Sequence, residues 1–191
     1  MSKADWHIYL GEIPHSEKGN FWVSFESDPH MRKTKADIYG KCLPCIQNLY
    51  FQLKEGRTEI ALGPAYHCWK ITAVLKDLDT CLLLLSEFES RFQCGHVYGK
   101  FGTGRRNSET RVVVFHTDDE TRRDEIKDTL LKCIRDANIN GKIQISRACD
   151  VLYGEILGDW RHWLPTTPVE KTEKVGDLLE RIRKTLFWSV I

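Results

Sequence analysis

The stretch that decides the fold runs from His96 to Ala137 and reads HVYGKFGTGRRNSETRVVVFHTDDETRRDEIKDTLLKCIRDA. His96 to Phe101 and Arg111 to His116 are short runs rich in β-branched and aromatic residues, separated by a glycine-rich loop, which predicts two strands of a hairpin. Beyond them Ile126, Leu130, Cys133 and Ile134 recur at helical spacing, so a helix is expected from about Glu120 to Ala137 with that stripe buried. The order is strand, strand, helix.

Moving outward, the same order recurs twice upstream. Trp6 to Leu10 and Phe21 to Glu26 alternate like half-buried strands, and a helical stretch follows from about Lys35 to Glu55, kinked or restarted at Pro44 and ended by Gly56. Glu59 to Leu62 and Cys68 to Val74 are the next predicted strands. A helix opened by Asp77 comes after them, with Leu78, Leu82, Leu85 and Phe92 on one face. Downstream, Lys142 to Arg147 predicts a further strand and Asp150 to Leu157 a short helix. Three strand-strand-helix units predict an α+β fold built on repeated ββα units. Its curved, mostly antiparallel sheet is backed by helices on one face, and a C-terminal helix completes it. A single α+β domain is expected over residues 1–163. Residues 164–191 are expected to be a linker, Leu164 to Val169, and a docked helix, Lys171 to Trp188, with Val175, Leu178, Leu179, Ile182 and Leu186 inward.

Composition narrows the function classes. The 191 residues are 41% apolar and 29% charged, an ordinary globular balance. With 28 basic and 27 acidic side chains the net charge is +1, so any polyanion site is a local patch. The first residues, MSKADWHIYL, lack the pattern of a secretory signal, and the most apolar run, Cys81 to Leu85, is far shorter than the roughly 20 residues of a membrane span. A cytoplasmic protein with free thiols and no membrane partner is expected from this, although there are seven cysteines.

Alternation within the strands sorts two faces of the sheet. Trp6, Ile8, Leu10, Phe21, Val23, Phe25, Trp69, Ile71, Ala73, Val97, Phe101, Ile143 and Ile145 fall on the helix side. His7, Tyr9, Trp22, Ser24, Glu26, Lys70, Thr72, His96, Tyr98, Lys100, Lys142, Gln144 and Ser146 fall on the other. Aromatic rings interleaved with lysines suit base stacking and phosphate binding, although an open antiparallel face is polar for ordinary reasons too. Beside it, Gly99 to Arg106 is rich in glycine and cation. It is not a Walker A loop, because its lysine precedes the later glycines and it joins two strands. Cys42 and Cys45 form a CxxC motif without the second knuckle of a strong zinc signature, so neither a metal nor a cofactor is expected. His116, Thr117, Asp118 and Asp119 stand where a strand meets a helix, a place for an acid or base and equally for a helix cap at Thr117 or Asp118. Trp160 to Trp163 is the stretch that would anchor a protein partner.

Several stretches resemble the cap-binding translation initiation factor 4E fold over most of residues 5–150. They are Trp69 and Ile71 with Asp77, Leu78 and Asp79; Cys94, Gly95 and Val97; Arg111 to Thr117; and Lys142, Ile143 and Ile145. The chain is similar also to the basophilic-leukaemia-expressed family, labelled a phosphothreonine lyase domain, which uses that fold and to which it stands nearer. The resemblance implies two loop tryptophans that sandwich a methylated guanine and cations near the third hairpin that hold phosphates. This chain has no Trp from Glu12 to Asn20 and only Tyr66 from Gly63 to His67, so selective cap binding is not expected. The cations remain, as Lys100, Arg105, Arg106 and Arg111. The reading that results is a binding module for a phosphate-bearing ligand, RNA or a nucleotide, on the open sheet face, with Lys100, Arg105, Arg106, Arg111, Lys70, Trp22, Tyr66 and Tyr98 as ligand-binding residues. The alternatives are an enzyme acting on a phosphorylated substrate through His96 or His116, and a protein-interaction module.

Overall fold

The computed structural model describes residues 6–13, 21–39, 43–92, 95–103 and 111–187. Their order is β1 (Tyr9–Glu12), β2 (Trp22–Glu26), a π-helix (Thr34–Tyr39), α1 (Leu43–Lys54), β3 (Glu59–Ala61), α2 (Pro64–His67), β4 (Trp69–Leu75) and α3 (Leu78–Arg91). There follow β5 (Tyr98–Thr103), β6 (Arg111–Thr117), α4 (Glu120–Asp136), β7 (Gly141–Arg147), α5 (Asp150–Leu157), β8 (Thr166–Pro168) and α6 (Val175–Phe187). The α+β class expected from the pattern is the class observed. The contacts divide the chain into two compact units, one of residues 1–40 and 69–145, the other of 41–68 and 146–191.

The first unit is a six-stranded sheet in the order β1-β2-β5-β6-β4-β7. The pairs β1/β2, β2/β5, β5/β6 and β6/β4 are antiparallel. Strand β4, WKITAVL, alternates strictly between buried and half-buried positions, as a strand covered on one face must. Helices α3 and α4 cover that face. Asp77 caps α3, its carboxylate accepting the N–H of Thr80 at 2.8 Å, and Asp119 caps α4 by accepting the N–H of Arg122 at 2.7 Å. The α4 cap is therefore Asp119, one residue beyond the expected Thr117 or Asp118, because Thr117 is still in β6.

Between sheet and helices lies a core of Phe25, Ile71, Phe88, Val97, Phe101, Val113, Phe115, Ile126 and Leu130. The rings of Phe25 and Phe88 stand 4.8 and 4.6 Å from Phe115. Gly99 permits this close packing, since a Cβ there would lie 2.5 Å from the Phe25 ring and 2.0 Å from the Val114 carbonyl oxygen. The face of α3 differs from expectation. Cys81, Leu84, Leu85 and Phe88 are inward and Leu82 is 41% exposed, because the run Leu82 to Leu85 offers two overlapping stripes and packing selects one. Leu10 and Phe21, expected inward, are exposed as well. Leu10 belongs to β1, the edge strand, which has a neighbour on one side only.

The second unit packs α1, α5 and α6 with a two-stranded ribbon of β3 and β8. Its core holds Leu49, Leu53, Ile60, Leu62, Tyr153, Ile156, Leu178 and Ile182, so the terminal helix docks through the expected stripe. The stretch read as a linker contains β8, whose Thr166, Thr167 and Pro168 pair with Ala61, Ile60 and Glu59. Strand β3 therefore joins a ribbon of its own rather than the large sheet. Gln52 closes that ribbon, donating to the Ala61 carbonyl at 2.9 Å and accepting the Ala61 N–H at 2.8 Å. The single helix expected over 35–55 is a π-helix and α1, in different units.

Candidate nucleic-acid interface

Register sorts the side chains of β1, β2, β5, β6 and β4 on the sheet face opposite α3 and α4 into rows. One row runs Tyr9, Glu26, Tyr98, His116, Lys70 across β1, β2, β5, β6 and β4. The next runs Gly11, Ser24, Lys100, Val114, Thr72, and a third runs Trp22, Gly102, Val112, Val74. Lys142 and Gln144 lie on β7, exposed and on this same side, since Ile143 and Ile145 pack on the core behind them.

Lys100 leans from the second row toward the third, and its ammonium sits 4.5 Å from the centre of the Trp22 ring. A cation over an indole face is held by the ring's quadrupole. Trp22 and Lys70 are half-buried, as Lys100 is, so each keeps part of its surface open. Tyr98 does not. It is 7% exposed, stacked between His96 at 5.8 Å and His116 at 6.0 Å, with the Lys33 ammonium 5.5 Å from its ring.

The cover over that end of the face is the segment that contains the π-helix, and Glu26 holds it. Glu26 has no exposed surface, and its carboxylate accepts the backbone N–H groups of Lys33 at 2.9 Å and Thr34 at 2.7 Å. His96 Nε2 stands 2.7 Å from the same carboxylate. These donors explain how a carboxylate is buried on a sheet face at all, because a buried charge has to be hydrogen-bonded. Alternation puts Glu26 on this face, but its partners are seven, eight and 70 residues away and leave no local signal.

The remaining expected residues lie elsewhere. Arg111 shares its side of β6 with Val113 and Phe115, toward the helices. Its charge acts there on Asp77, whose carboxyl is held below its ordinary value first by the Thr80 hydroxyl and N–H, with Lys76 and Arg111 assisting. Tyr66 is in the second unit, on α2, where the Arg147 guanidinium sits 4.4 Å over its ring. Arg105 and Arg106 lie outside the described residues, as do Cys42 and Cys94. Cys45 is buried, and no group of three or more His, Cys, Asp or Glu residues that could hold a metal ion occurs among the described residues. Trp163, expected as part of a partner anchor, is buried in the second unit's core, and the Arg161 guanidinium pairs with Asp159 at 2.8 Å.

No protein-family model, no curated protein and no solved structure matches this chain. What the face can do follows from its own chemistry. Its described strand positions carry three lysines and a histidine against one carboxylate, and that carboxylate is buried and engaged. Such a surface is attractive to anions, and the half-buried Trp22 adds a ring to it. No helix among the described residues is long and apolar enough to cross a membrane.

Proposed function

We propose that this protein is a binding module for a phosphate-bearing ligand, RNA or a nucleotide, taken on the open part of the sheet face around Trp22, Lys100 and Lys70. The observation that carries the reading is the Lys100 ammonium held 4.5 Å over Trp22, which joins a phosphate-binding charge to a stacking ring in one pair. The β5-β6-α4 order and the packing of α3 and α4 on one face of the sheet are the features that support kinship with the factor 4E-like fold and the basophilic-leukaemia-expressed group. The thiols of Cys81 and Cys133, buried and free, support a cytoplasmic setting.

A second reading has an observation of its own. The buried Glu26 carboxylate orients His96, as a carboxylate orients the histidine of an acid–base pair. An enzyme acting on a phosphorylated substrate would use that ring. The geometry favours binding, because His96 and Lys100 are four residues apart on one extended stretch, about 13 Å at about 3.3 Å per residue, and Lys100 leans away from His96 toward Trp22. One phosphate held at Trp22 and Lys100 is out of reach of His96.

Titration of guanosine triphosphate, a methylated cap analogue and a short RNA against tryptophan fluorescence tests the reading. The Trp22→Ala, Lys100→Glu double variant is expected to bind RNA at least about tenfold more weakly, a loss of about 1.4 kcal/mol, with its melting temperature preserved. Unchanged affinity in that variant would remove the pair from the site. The cap analogue is expected to bind no better than the unmethylated nucleotide, since only Trp22 is at hand.

A further inference from the structure

The two edges of the six-stranded sheet are not alike. Strand β1 is four residues long and includes Gly11 and Glu12, and short, charged edges resist further pairing. Strand β7, GKIQISR, runs seven residues without a proline, and from Lys142 to Ser146 its single charge is that of Lys142. It pairs with β4 alone. Just past its end the Ala148 N–H donates to the Cys68 carbonyl at 2.8 Å, so by two-residue alternation Ser146, Gln144 and Lys142 turn their N–H and C=O groups toward β4. Ile143 and Ile145 therefore turn theirs outward, along the free edge. The helix side of that edge is apolar. Ile143 and Ile145 are half-buried against the core. A Cβ on Gly141 would stand 3.5 Å from Ile134 Cδ1, which puts that flank of α4 beside β7. Leu131, one turn earlier on the same flank, is 46% exposed.

A row of outward donors and acceptors with an apolar band on one side is the complement of another strand. We propose that this edge is a homodimer interface, at which a second copy adds its own β7 antiparallel across a two-fold axis at Gln144 and joins the two sheets into one. The strand's own sequence selects that register. Ile143 faces Ile145 of the partner subunit, outward residue opposite outward residue, so each such pair exchanges both of its hydrogen bonds, and the isoleucines of both copies meet on the helix side. Lys142 faces Ser146 of the partner subunit, which keeps the two ammonium groups from opposing each other. Gln144 faces its own copy on the open face. An axis at Ile143 would set Ile145 against Gly141, and an axis at Ile145 would set Ile143 against Arg147, so neither pairs the apolar residues throughout. Self-complementarity of this kind is what an isologous contact requires, and it selects a second copy over a foreign strand. The inference is independent of the phosphate-binding reading.

Sedimentation equilibrium of the full chain from about 1 to about 500 µM tests the interface, a range set by the weak affinity of contacts of small area. The wild type is expected to pass from monomer to dimer across it. Gln144 is exposed, so Gln144→Glu and Gln144→Lys are expected to keep the melting temperature. Each sets like charges opposite one another on the axis and is expected to raise the dissociation constant at least about tenfold. An equimolar mixture of the two variants is expected to recover the dimer, because opposite charges then face across the axis. On mild oxidation Gln144→Cys is expected to form an intermolecular disulfide, since a non-hydrogen-bonded pair brings its Cα atoms to about 4.5 Å, within disulfide reach. Lys142→Cys, opposite Ser146, is expected to stay at the wild-type background. A wild type still monomeric at about 500 µM leaves the edge to a foreign strand and overturns the proposal. Charged variants that dimerise as the wild type does, a mixture no better than its components, or equal cross-linking at both positions overturns it as well.

Discussion

Replacing Glu26 with alanine is the most searching perturbation of this fold, because one buried carboxylate ties a sheet face to the segment that covers it. The substitution removes acceptors from the N–H groups of Lys33 and Thr34 at 2.9 and 2.7 Å. A hydrogen bond to a charged group contributes about 1.5–3 kcal/mol, so the two together set a range of about 3–6 kcal/mol. The lower end applies, since the Lys33 donor is only partly buried and can find water, and burying the carboxylate has a desolvation cost that alanine lacks. His96 adds little, because its side chain is 41% exposed. The expected loss is about 3 kcal/mol, and at about 2–4 °C per kcal/mol for a chain of this size the melting temperature falls by about 6–12 °C. Glu26→Gln, which keeps one acceptor oxygen, is expected to lose about half as much. Calorimetry measures the shift, and amide exchange at Lys33 and Thr34 locates it. A Glu26→Ala protein that melts within about 2 °C of the wild type, or His96→Ala costing as much as Glu26→Ala, would refute the reasoning.

Two further perturbations bear on the helix side. Leu84→Ala empties a fully buried position and is expected to cost about 2–5 kcal/mol, whereas Leu82→Ala, at a 41% exposed position, stays within about 0.5 kcal/mol; urea midpoints that rank them the other way would contradict the α3 face described. Asp77, Asp124 and Glu180 have carboxyls held below their ordinary values, first by the hydroxyl of Thr80 and the guanidinium groups of Arg123 and Arg183 respectively. A depressed folded-state pKa stabilises above the unfolded value and loses that contribution as pH falls through the folded one, so stability is expected to hold from neutrality to about pH 5 and to fall below about pH 4. Asp77→Asn, which still caps but does not titrate, should show a shallower acid decline, and a urea midpoint unchanged down to pH 3 would count against the pairing.

The parts of the fold legible in the sequence are those whose cause is local. The alternation of WKITAVL is sufficient to name β4 and its buried face, and Asp77 announces α3 by a side chain that reaches three residues ahead. The π-helix is different, because its lead-in N–H groups are taken by Glu26, a carboxylate on the preceding strand. Strand β8 follows Pro165, ends on Pro168 and becomes a strand only by pairing with β3, about 100 residues upstream. In the candidate site the face of Lys70, Lys100 and Lys142 followed from alternation, while the row of each depends on register, which only the assembled sheet sets. Arg111 stands on the same side of β6 as Val113 and Phe115, a side that alternation along the strand indicates without knowledge of the assembled sheet. The burial of Tyr98 required knowledge of the segment that lies over it, and nothing near Tyr98 in the chain signals that cover.

The division of the chain into interleaved units has a consequence for how the molecule is made. Helix α1 buries Leu49 and Leu53 in a core completed by Leu178 and Ile182 of α6, and about 125 residues separate Leu53 from Leu178. At about 5–20 residues per second a ribosome takes about 6–25 s to supply the second partner after the first. During that interval Ile60 and Leu62 are early members of that core available to α1, and the side of α1 that meets α6 is uncovered. The nascent chain thus holds an exposed greasy helix in waiting, a natural client for a holding chaperone, and slowing elongation anywhere between residues 54 and 178 prolongs the exposure.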